Sequence, residues 1–347
     1  MQLSHCGIPF STQAFLVISD PPGKLPSLSS EEQISRHLPS LQQFSASAAK
    51  MSPSGPFQVT VHPFESKCRS SAAYEIGLTS APNAIVFIGG LTDGPHTIPY
   101  TRLLAQRLEE AKELGFSVIE FRMRSSFSGF GTSSLSNDVE DISALVKYLR
   151  GIGKEKIVLF GSSTGCQDCI EYANYAKHNN EPVDGFIMQG PVSDRETLDL
   201  IFPDPQPSLD LAAKMISEGK GGDCMPFDMI PAVLGAPISA YRFQSLASKG
   251  GDDDYFSSDL PDDVIERNWS RFNKPVLVLH SAEDEFVPER IDQAASNKKY
   301  KALNPAVSRL SGLIPGASHT VDQPQAQEWL SKTVIEWLKT EITSRAD

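Results

Sequence analysis

The chain has 347 residues, of which 40% are hydrophobic and 21% are charged, a balance typical of a globular protein and not of a disordered one. Its 43 Asp and Glu residues exceed its 31 Lys and Arg residues, which gives a formal net charge of −12. This charge disfavours nucleic acids and anionic membranes as partners, because both are bound through clustered basic side chains.

No apolar run approaches the roughly 18 residues that a membrane-spanning helix needs. The N-terminus also lacks the basic and apolar regions of a secretory signal. We therefore expect a cytoplasmic protein. Its five cysteines are odd in number and scattered along the chain, which is typical of reduced thiols in that compartment.

The first part of the chain predicts two strands that are separated by a polar insertion. Residues 13–18 and 57–62 are rich in residues that favour strands. The segment between them, at about 21–56, is rich in Ser and Pro and is long for a loop inside a compact domain. It matches no motif to which a role can be attached.

Between residues 84 and 188, short apolar segments alternate with segments of helical spacing. Strands that are apolar along their whole length are typical of a parallel sheet covered by helices on both faces. We therefore predict an α/β fold. The predicted strands cover 84–88, 116–121, 156–160 and 185–188, and the predicted helices cover 100–114, 137–150 and 165–176.

The alternation of strands and helices stops between about 193 and 272, in a stretch rich in Pro, Gly and Asp. We interpret this stretch as an inserted cap. The α/β pattern then resumes with strands at 275–279 and 307–313 and a long helix at 326–342. The predicted organisation is a core formed by residues 1–192 and 273–347, interrupted by a cap at 193–272.

The strongest local signal for chemistry is the run Gly-Ser-Ser-Thr-Gly at 161–165, which matches the G-x-S-x-G nucleophile elbow. It lies between an apolar strand and a helix, where a serine has to turn in a strained conformation and flanking glycines leave room. The N-terminus of the following helix favours developing negative charge. We predict that Ser163 is the nucleophile of an α/β-hydrolase. The alternative is a plain glycine-rich turn.

A nucleophilic serine needs a base, and the base needs an orienting acid; on this fold the chain order is serine, acid, histidine. Asp284 follows the predicted strand at 275–279 and is the candidate acid, with Glu283 and Glu285 as alternatives. His319 lies between a predicted strand and the final helix, and no other histidine follows residue 280. It is therefore the candidate base.

Acyl transfer also needs two hydrogen-bond donors aimed at the developing oxyanion. One is expected to be the backbone N–H of Thr164, directly after the nucleophile. The other is expected in the glycine loop after the first core strand, where Leu91 is the first candidate and Gly90 the second. A simple turn at the end of a strand is the alternative reading of that loop.

Six further residues are candidates for substrate contact. Three follow the predicted strand at 116–121, at the sheet edge where α/β proteins bind ligands, although structural pairing is an equal alternative for its arginines. One follows the glycine loop, and two lie in the predicted cap beside an acidic run at 252–254 that would attract a cationic substrate or form a solvated loop. The candidates are His96, Arg122, Arg124, Ser125, Asp254 and Tyr255.

Cys166 and Cys169 have the Cys-x-x-Cys spacing of some redox and metal sites. They fall inside the helix predicted after the elbow, and the chain has no second pair at that spacing. Core packing is therefore the preferred interpretation. We expect no metal or organic cofactor, since the predicted serine chemistry requires none.

Four segments together resemble a mainly fungal and plant group of α/β-hydrolases that was long described only as a domain of unknown function. The best-understood branch of that group is the fungal siderophore esterases, which open fusarinine-type esters inside the cell to release iron. The resemblance covers roughly residues 80 to 345. Its segments are 87–94, 125–135, the elbow at 161–165, and 251–260, which contains Gly-Asp-Asp-Asp-Tyr-Phe.

The resemblance implies a serine ester hydrolase whose triad is Ser163, Asp284 and His319 and whose substrate is a siderophore of the fusarinine C or triacetylfusarinine C type. Iron would arrive as part of that substrate. The acidic cap would suit the ornithine-derived amines of fusarinine. A general carboxylesterase, a thioesterase or an acyltransferase with the same triad is the alternative, and a non-catalytic binding protein with the same fold is a third reading.

Overall fold

The computed structural model describes residues 55–202 and 204–344. The strand predicted at 13–18 and nearly all of the predicted insertion at 21–56 lie outside these residues. Within the described chain, eight strands form one sheet of order β1-β2-β4-β3-β5-β6-β7-β8. The strands are β1 (Thr60–Pro63), β2 (Ala72–Ile76), β3 (Asn83–Ile88), β4 (Phe116–Phe121), β5 (Ile157–Ser162), β6 (Gly185–Gln189), β7 (Val276–Ser281) and β8 (Gly312–Ile314).

Helices connect the strands and cover the sheet. In chain order they are α1 (Tyr100–Glu110), α2 (Leu135–Gly151), α3 (Gly165–Tyr172), α4 (Tyr175–His178), α5 (Asp194–Ile201), α6 (Gln206–Ser217), α7 (Ala240–Ala247), α8 (Asp262–Trp269), α9 (Gln293–Leu303) and α10 (Pro324–Trp337). Short 3-10 turns occupy Lys112–Leu114, Phe127–Thr132, Phe227–Met229 and Ala232–Leu234, and a π turn at Leu338–Thr343 follows α10. None of the described helices is both long and apolar enough to cross a membrane.

Strands β3 to β8 pair in parallel, while β1 and β2 pair antiparallel at one edge. Successive residues of β3 point to opposite faces, so that Val86 joins one apolar cluster and Ile85 and Phe87 join another. The first cluster includes side chains of α2 and α3, and the second includes side chains of α1 and α10. The predicted α/β fold with helices on both faces of the sheet is confirmed.

Strand β2 was not predicted from the sequence. Its residue Glu75 is 1% exposed, and its carboxylate contacts the Lys154 ammonium group at 2.6 Å and accepts a hydrogen bond from Ser117 Oγ, also at 2.6 Å. A buried ion pair replaces the apolar side chain that a core strand normally shows. The hydrophobic pattern of β2 is therefore interrupted, which hides it from pattern-based prediction.

Other boundaries differ from the prediction for local reasons. Helix α2 begins at Leu135, two residues early, because the Ser134 hydroxyl accepts a hydrogen bond from Asn137 N–H and caps it. The helix predicted over 165–176 is divided into α3 and α4, with Asn174 capping the second. The strand predicted at 307–313 is reduced to β8, with one isolated bridge at Val307.

The segment predicted as a cap contains α5 to α8 and two 3-10 turns, and none of its described residues joins the sheet. It leaves the core after β6 and returns before β7, which are neighbouring strands. Much of the segment shares one apolar cluster, whose buried members include Leu198, Ile238 and Phe243. Leu91 packs against this cluster from the loop after β3.

In the acidic run at 252–254, Asp252 is exposed, but the other two carboxyl groups are buried inside the segment. Asp253 is 1% exposed and pairs with buried Arg242 at 2.5 Å. Asp254 is buried as well, where it accepts hydrogen bonds from Gly250 N–H and Ser257 Oγ. These carboxylates stabilise the packing of this segment, and they are not available to attract a cation.

Arg242 interacts with several buried polar groups besides Asp253. Its guanidinium group also donates to Phe130 O at 3.1 Å, and three further buried carboxyl groups, Asp138, Asp168 and Asp194, lie close enough to feel its charge. Burial raises the pKa of Asp138 to about 6 and that of Asp194 to about 7. Arg242 thus provides a buried positive charge close to four buried carboxyl groups, those of Asp253 and of the three residues just named.

Replacing Arg242 with Met should destabilise the protein by about 3 to 5 kcal/mol, because the Asp253 carboxylate would remain buried without its partner. Urea unfolding followed by circular dichroism measures this change. Arg107→Met, which removes a partly exposed surface ion pair with Glu328, is the control and should change stability little. A loss below about 1 kcal/mol for Arg242→Met would contradict the assigned role.

Candidate active site

Ser163 lies on a sharp turn between β5 and α3, and its backbone φ is +54°, in the left-handed region. The two flanking glycines make this turn possible. A Cβ on Gly161 would lie 2.1 Å from Gly165 O, and a Cβ on Gly165 would lie 2.3 Å from Ile88 O. No larger residue fits at either position without moving the backbone, so the sequence pattern and the geometry have the same steric cause.

His319 joins Ser163 to Asp284 through two hydrogen bonds. Its Nε2 lies 2.8 Å from Ser163 Oγ, and its Nδ1 lies 2.8 Å from Asp284 Oδ2 and 3.0 Å from Oδ1. His319 and Asp284 are 7% and 9% exposed. Asp284 also accepts a hydrogen bond from Phe286 N–H at 3.0 Å, which fixes its orientation.

The two alternative acids do not contact the His319 ring. Glu283 is exposed, and the Glu285 carboxylate accepts a hydrogen bond from the backbone N–H of His319 at 2.8 Å. Glu285 therefore fixes the position of the His319 backbone, while Asp284 contacts the imidazole. Of the three candidate acids, the structure brings only Asp284 to the ring.

The electrostatic surroundings of His319 favour its protonated form. Burial opposes protonation, but the charge and hydrogen bond of Asp284 outweigh it, and Glu285 and Asp93 add to the effect. Together these groups raise the pKa of His319 above its ordinary value. An imidazole with a raised pKa accepts a proton from a serine hydroxyl more readily.

Two backbone N–H groups beside Ser163 are open to a ligand. No described residue accepts a hydrogen bond from the N–H of Thr164 or of Leu91. Gly90, the second candidate from the sequence, already donates its N–H to Asp93 Oδ2 at 2.9 Å. A Cβ on Gly90 would lie 2.6 Å from Ser163 Cβ, so this loop packs directly against the serine.

Gln189 is a site residue that sequence reasoning missed. It ends β6, is fully buried, and its Oε1 accepts hydrogen bonds from Ser162 Oγ at 2.8 Å and Tyr100 OH at 3.0 Å. Its Nε2 donates to His319 O at 2.9 Å, so one amide connects the elbow to the segment that carries the histidine. The sequence could have indicated this residue, because Gln189 is a polar residue at the end of an otherwise apolar strand.

The structure assigns other contacts to the residues predicted at the end of β4. The Arg124 guanidinium contacts Asp141 at 3.0 Å and Asn137 Oδ1 at 3.0 Å, and its contact with substrate stays a prediction. Arg122 is exposed, and Ser125 lines a small cavity beneath the glycine loop. Structural pairing, the alternative for the arginines, accounts for Arg124.

The remaining candidates also have partners of their own. His96 contacts buried Glu120 through Nδ1 at 2.5 Å and through its backbone N–H at 2.9 Å. Asp254 and Tyr255 line a cavity of about 520 Å³ whose lining includes neither Ser163 nor His319, and their contact with substrate stays a prediction. Tyr255 donates its hydroxyl hydrogen to Glu171 at 2.5 Å.

Cys166 and Cys169 are fully buried free thiols that pack in the core of the fold, as predicted. Burial raises the pKa of both thiols. Among the described residues, no group of three or more His, Cys, Asp or Glu side chains is arranged to hold a metal ion.

A serine hydroxyl bonded to a buried imidazole, which is itself bonded to a carboxylate, can lose its proton as it attacks a carbonyl carbon. The free N–H of Thr164 directly follows Ser163 in the chain, and the free N–H of Leu91 follows Gly90, which packs against Ser163. Donors in such positions can stabilise an oxyanion. The arrangement has every group that acyl transfer through a serine requires.

The model of a family described as "Protein of unknown function (DUF1749)" matches residues 48–339. The UPF0613 protein PB24D3.06c of Schizosaccharomyces pombe is 34% identical over 74% of this chain and 88% of its own length. The fusarinine C esterase sidJ of Aspergillus fumigatus is 28% identical over 76% of this chain and 91% of its own.

A solved structure, the siderophore hydrolase EstB from Aspergillus fumigatus, superposes with a TM-score of 0.72 at 27% sequence identity. The match covers 84% of this chain and 100% of that one. A soluble variant of monoglyceride lipase from Saccharomyces cerevisiae superposes with a TM-score of 0.54 at 16% identity, which is a likeness of fold. The predicted resemblance to fungal siderophore esterases and the predicted α/β-hydrolase fold are confirmed.

Gly90→Ala should slow the labelling of Ser163 by a fluorophosphonate by about 100-fold or more, because the new Cβ would collide with the Ser163 Cβ and displace the loop. Gly151→Ala is the matched control, since a Cβ there meets no atom within 4 Å. Labelling rates can be measured by intact-protein mass spectrometry. Equal rates for the two variants would contradict the close packing described above.

Proposed function

The chain belongs to the DUF1749 family, and we propose that it is a serine hydrolase that opens ester-linked hydroxamate siderophores of the fusarinine type. At the coarser level, the chain is a carboxylic ester hydrolase with the α/β-hydrolase fold, as its relatives named esterases and its structural neighbours indicate. The proposal concerns the residues that carry the reaction and the ester that is cleaved.

The observation that carries the proposal is the continuous hydrogen-bond chain Ser163–His319–Asp284, with both bonds of His319 at 2.8 Å. In the first half-reaction, Ser163 Oγ attacks the ester carbonyl carbon while its proton passes to His319 Nε2. Asp284 orients the ring and stabilises the imidazolium that forms. The N–H groups of Leu91 and Thr164 hold the oxyanion of the tetrahedral intermediate.

The intermediate collapses when the bond to the leaving alkoxide breaks and His319 Nε2 gives its proton to that oxygen. The acyl group then remains on Ser163 Oγ as an ester. In the second half-reaction, water attacks this ester and gives a proton to His319, and a second tetrahedral intermediate forms at the same oxyanion donors. Its collapse releases the acid, returns the proton to Ser163 and restores the enzyme.

The substrate assignment is supported by two relatives that match this chain over nearly their whole lengths. They are the fusarinine C esterase and the siderophore hydrolase EstB, at 28% and 27% identity. Within the acidic run, Asp253 and Asp254 are committed to internal partners and Asp252 is exposed. The run therefore offers little free negative charge to amine-bearing siderophores, and we expect acetylated ones to serve equally well.

Ferric fusarinine C and its triacetyl form are the substrates that test this proposal. Wild-type protein should produce linear ester fragments from both, and Ser163→Ala should lower kcat by about 10⁴-fold or more. Mass spectrometry of the products measures both results. If wild type cleaves neither siderophore but hydrolyses small carboxylic or thioesters through Ser163, the siderophore assignment is wrong and the serine mechanism stands.

The pH dependence tests the role of Asp284. His319 must be neutral to act as a base, so kcat/KM should fall as the pH drops below the raised pKa of His319. Asp284→Asn removes the main group that raises this pKa, so the acid limb should move to lower pH while kcat falls by about 10⁴-fold. An acid limb that moves to higher pH in this variant would contradict the assignment.

A further inference from the structure

We propose that Asp93 is a positioning residue that holds the loop at 89–94, called here the oxyanion loop, so that Leu91 N–H points toward the oxyanion formed at Ser163. This inference rests on the proposed function, since it assigns a role within that reaction. Asp93 belongs to the segment 87–94, whose residues the proposed mechanism uses only through Leu91. Its side chain touches the loop backbone and not the reacting atoms.

Two hydrogen bonds between Gly90 and Asp93 close the loop. Gly90 N–H donates to Asp93 Oδ2 at 2.9 Å, and Asp93 N–H donates to Gly90 O at 3.2 Å. Gly90 O and Leu91 N–H belong to the same planar trans peptide group, in which they point in opposite directions. A carbonyl held on the Asp93 side therefore turns the Leu91 N–H away from Asp93, toward the side on which it is free to bind a ligand.

The loop needs such a restraint because its backbone is strained. Within the loop, Thr92 has a φ of +69°, a value that a non-glycine residue keeps only when its surroundings impose it. The loop is also packed without spare room. A Cβ on Gly89 would lie 2.6 Å from Asp93 Cβ, and a Cβ on Gly90 would lie 2.6 Å from Ser163 Cβ.

The second oxygen of Asp93 is held by Thr97. The Thr97 hydroxyl donates to Asp93 Oδ1 at 3.0 Å and lies 2.9 Å from Gly94 O, which also accepts from Thr97 N–H at 3.3 Å. Gly94 N–H in turn donates to the Thr97 hydroxyl at 3.3 Å. Thr97 therefore connects Asp93 to the end of the loop, and the Asp93 carboxyl group accepts hydrogen bonds from both Gly90 and Thr97.

The charges around Asp93 act in both directions. Burial raises the pKa of Asp93, and the buried carboxylate of Glu120 also raises it, whereas the hydrogen bonds from Gly90 and Thr97 and the nearby His319 lower it. The hydrogen bond from Gly90 N–H is the contact that holds the loop. An asparagine has the same shape and keeps an oxygen that can accept this hydrogen bond, and its amide group can donate to the Thr97 hydroxyl. Asparagine should therefore replace Asp93.

The test compares Asp93→Asn, Asp93→Ala and Asp93→Glu with wild type on p-nitrophenyl acetate. Asp93→Asn should keep kcat within about threefold of wild type. Asp93→Ala should lower kcat by about 10- to 100-fold and change KM less than about threefold. The variant would misplace the Leu91 N–H, which stabilises the negative charge of the transition state and contributes little to binding the uncharged substrate. Asp93→Glu keeps the carboxyl group but moves it by one methylene, so it should lose as much kcat as Asp93→Ala.

A wild-type kcat in Asp93→Ala would overturn the inference. An Asp93→Asn variant that loses as much kcat as Asp93→Ala would also overturn it, because the charge of Asp93 would then matter and not its hydrogen bond to Gly90. If Asp93→Ala does not fold, wild-type kcat in Asp93→Glu would overturn it equally. Ser163→Ala, run in parallel, separates this inference from the proposed function. Undiminished hydrolysis by Ser163→Ala defeats the mechanism itself, whereas an inactive Ser163→Ala beside a fully active Asp93→Ala defeats only the role of Asp93.

Discussion

The turn at Ser163 is the constraint on which the rest of the site depends. A non-glycine residue at φ +54° is held there by β5 on one side and α3 on the other, with Gly161 and Gly165 in contact across the turn. The strain has a purpose in the proposed reaction, because it raises the hydroxyl above the sheet edge. The glycine loop after β3 packs directly against Ser163, and the segment that carries His319 is joined to Ser163 by a hydrogen bond.

Buried polar groups join the parts of this assembly. Gln189 connects the elbow to the backbone of His319, and Glu285 holds the same backbone from the other side. In the inserted segment, Arg242 pairs with Asp253 and contacts the carbonyl of Phe130, which lies in the core. Because such groups are costly to leave unpaired, each one restricts how the neighbouring elements can pack.

The sequence predicts the parallel core and the positions of the three proposed triad residues, because these depend on local patterns. Apolar runs indicate strands, and the spacing of Gly161 and Gly165 reflects a steric need within five residues. What could not be predicted depends on contacts distant in the chain. Strand β2 was hidden because Glu75 is neutralised by Lys154, 79 positions away. The burial of Asp253 within the acidic run could not be predicted, because Arg242 cannot be identified as its partner from spacing alone.

The central claim is that all hydrolysis passes through Ser163, and inactivation with a fluorophosphonate tests it most directly. Residual esterase activity and the fraction of Ser163 modified are measured on the same samples by kinetic assay and peptide mapping. The account predicts that activity falls in proportion to modification, with one adduct per chain and that adduct on Ser163. Full activity in protein whose Ser163 is completely modified, or inactivation through a different residue, would contradict it.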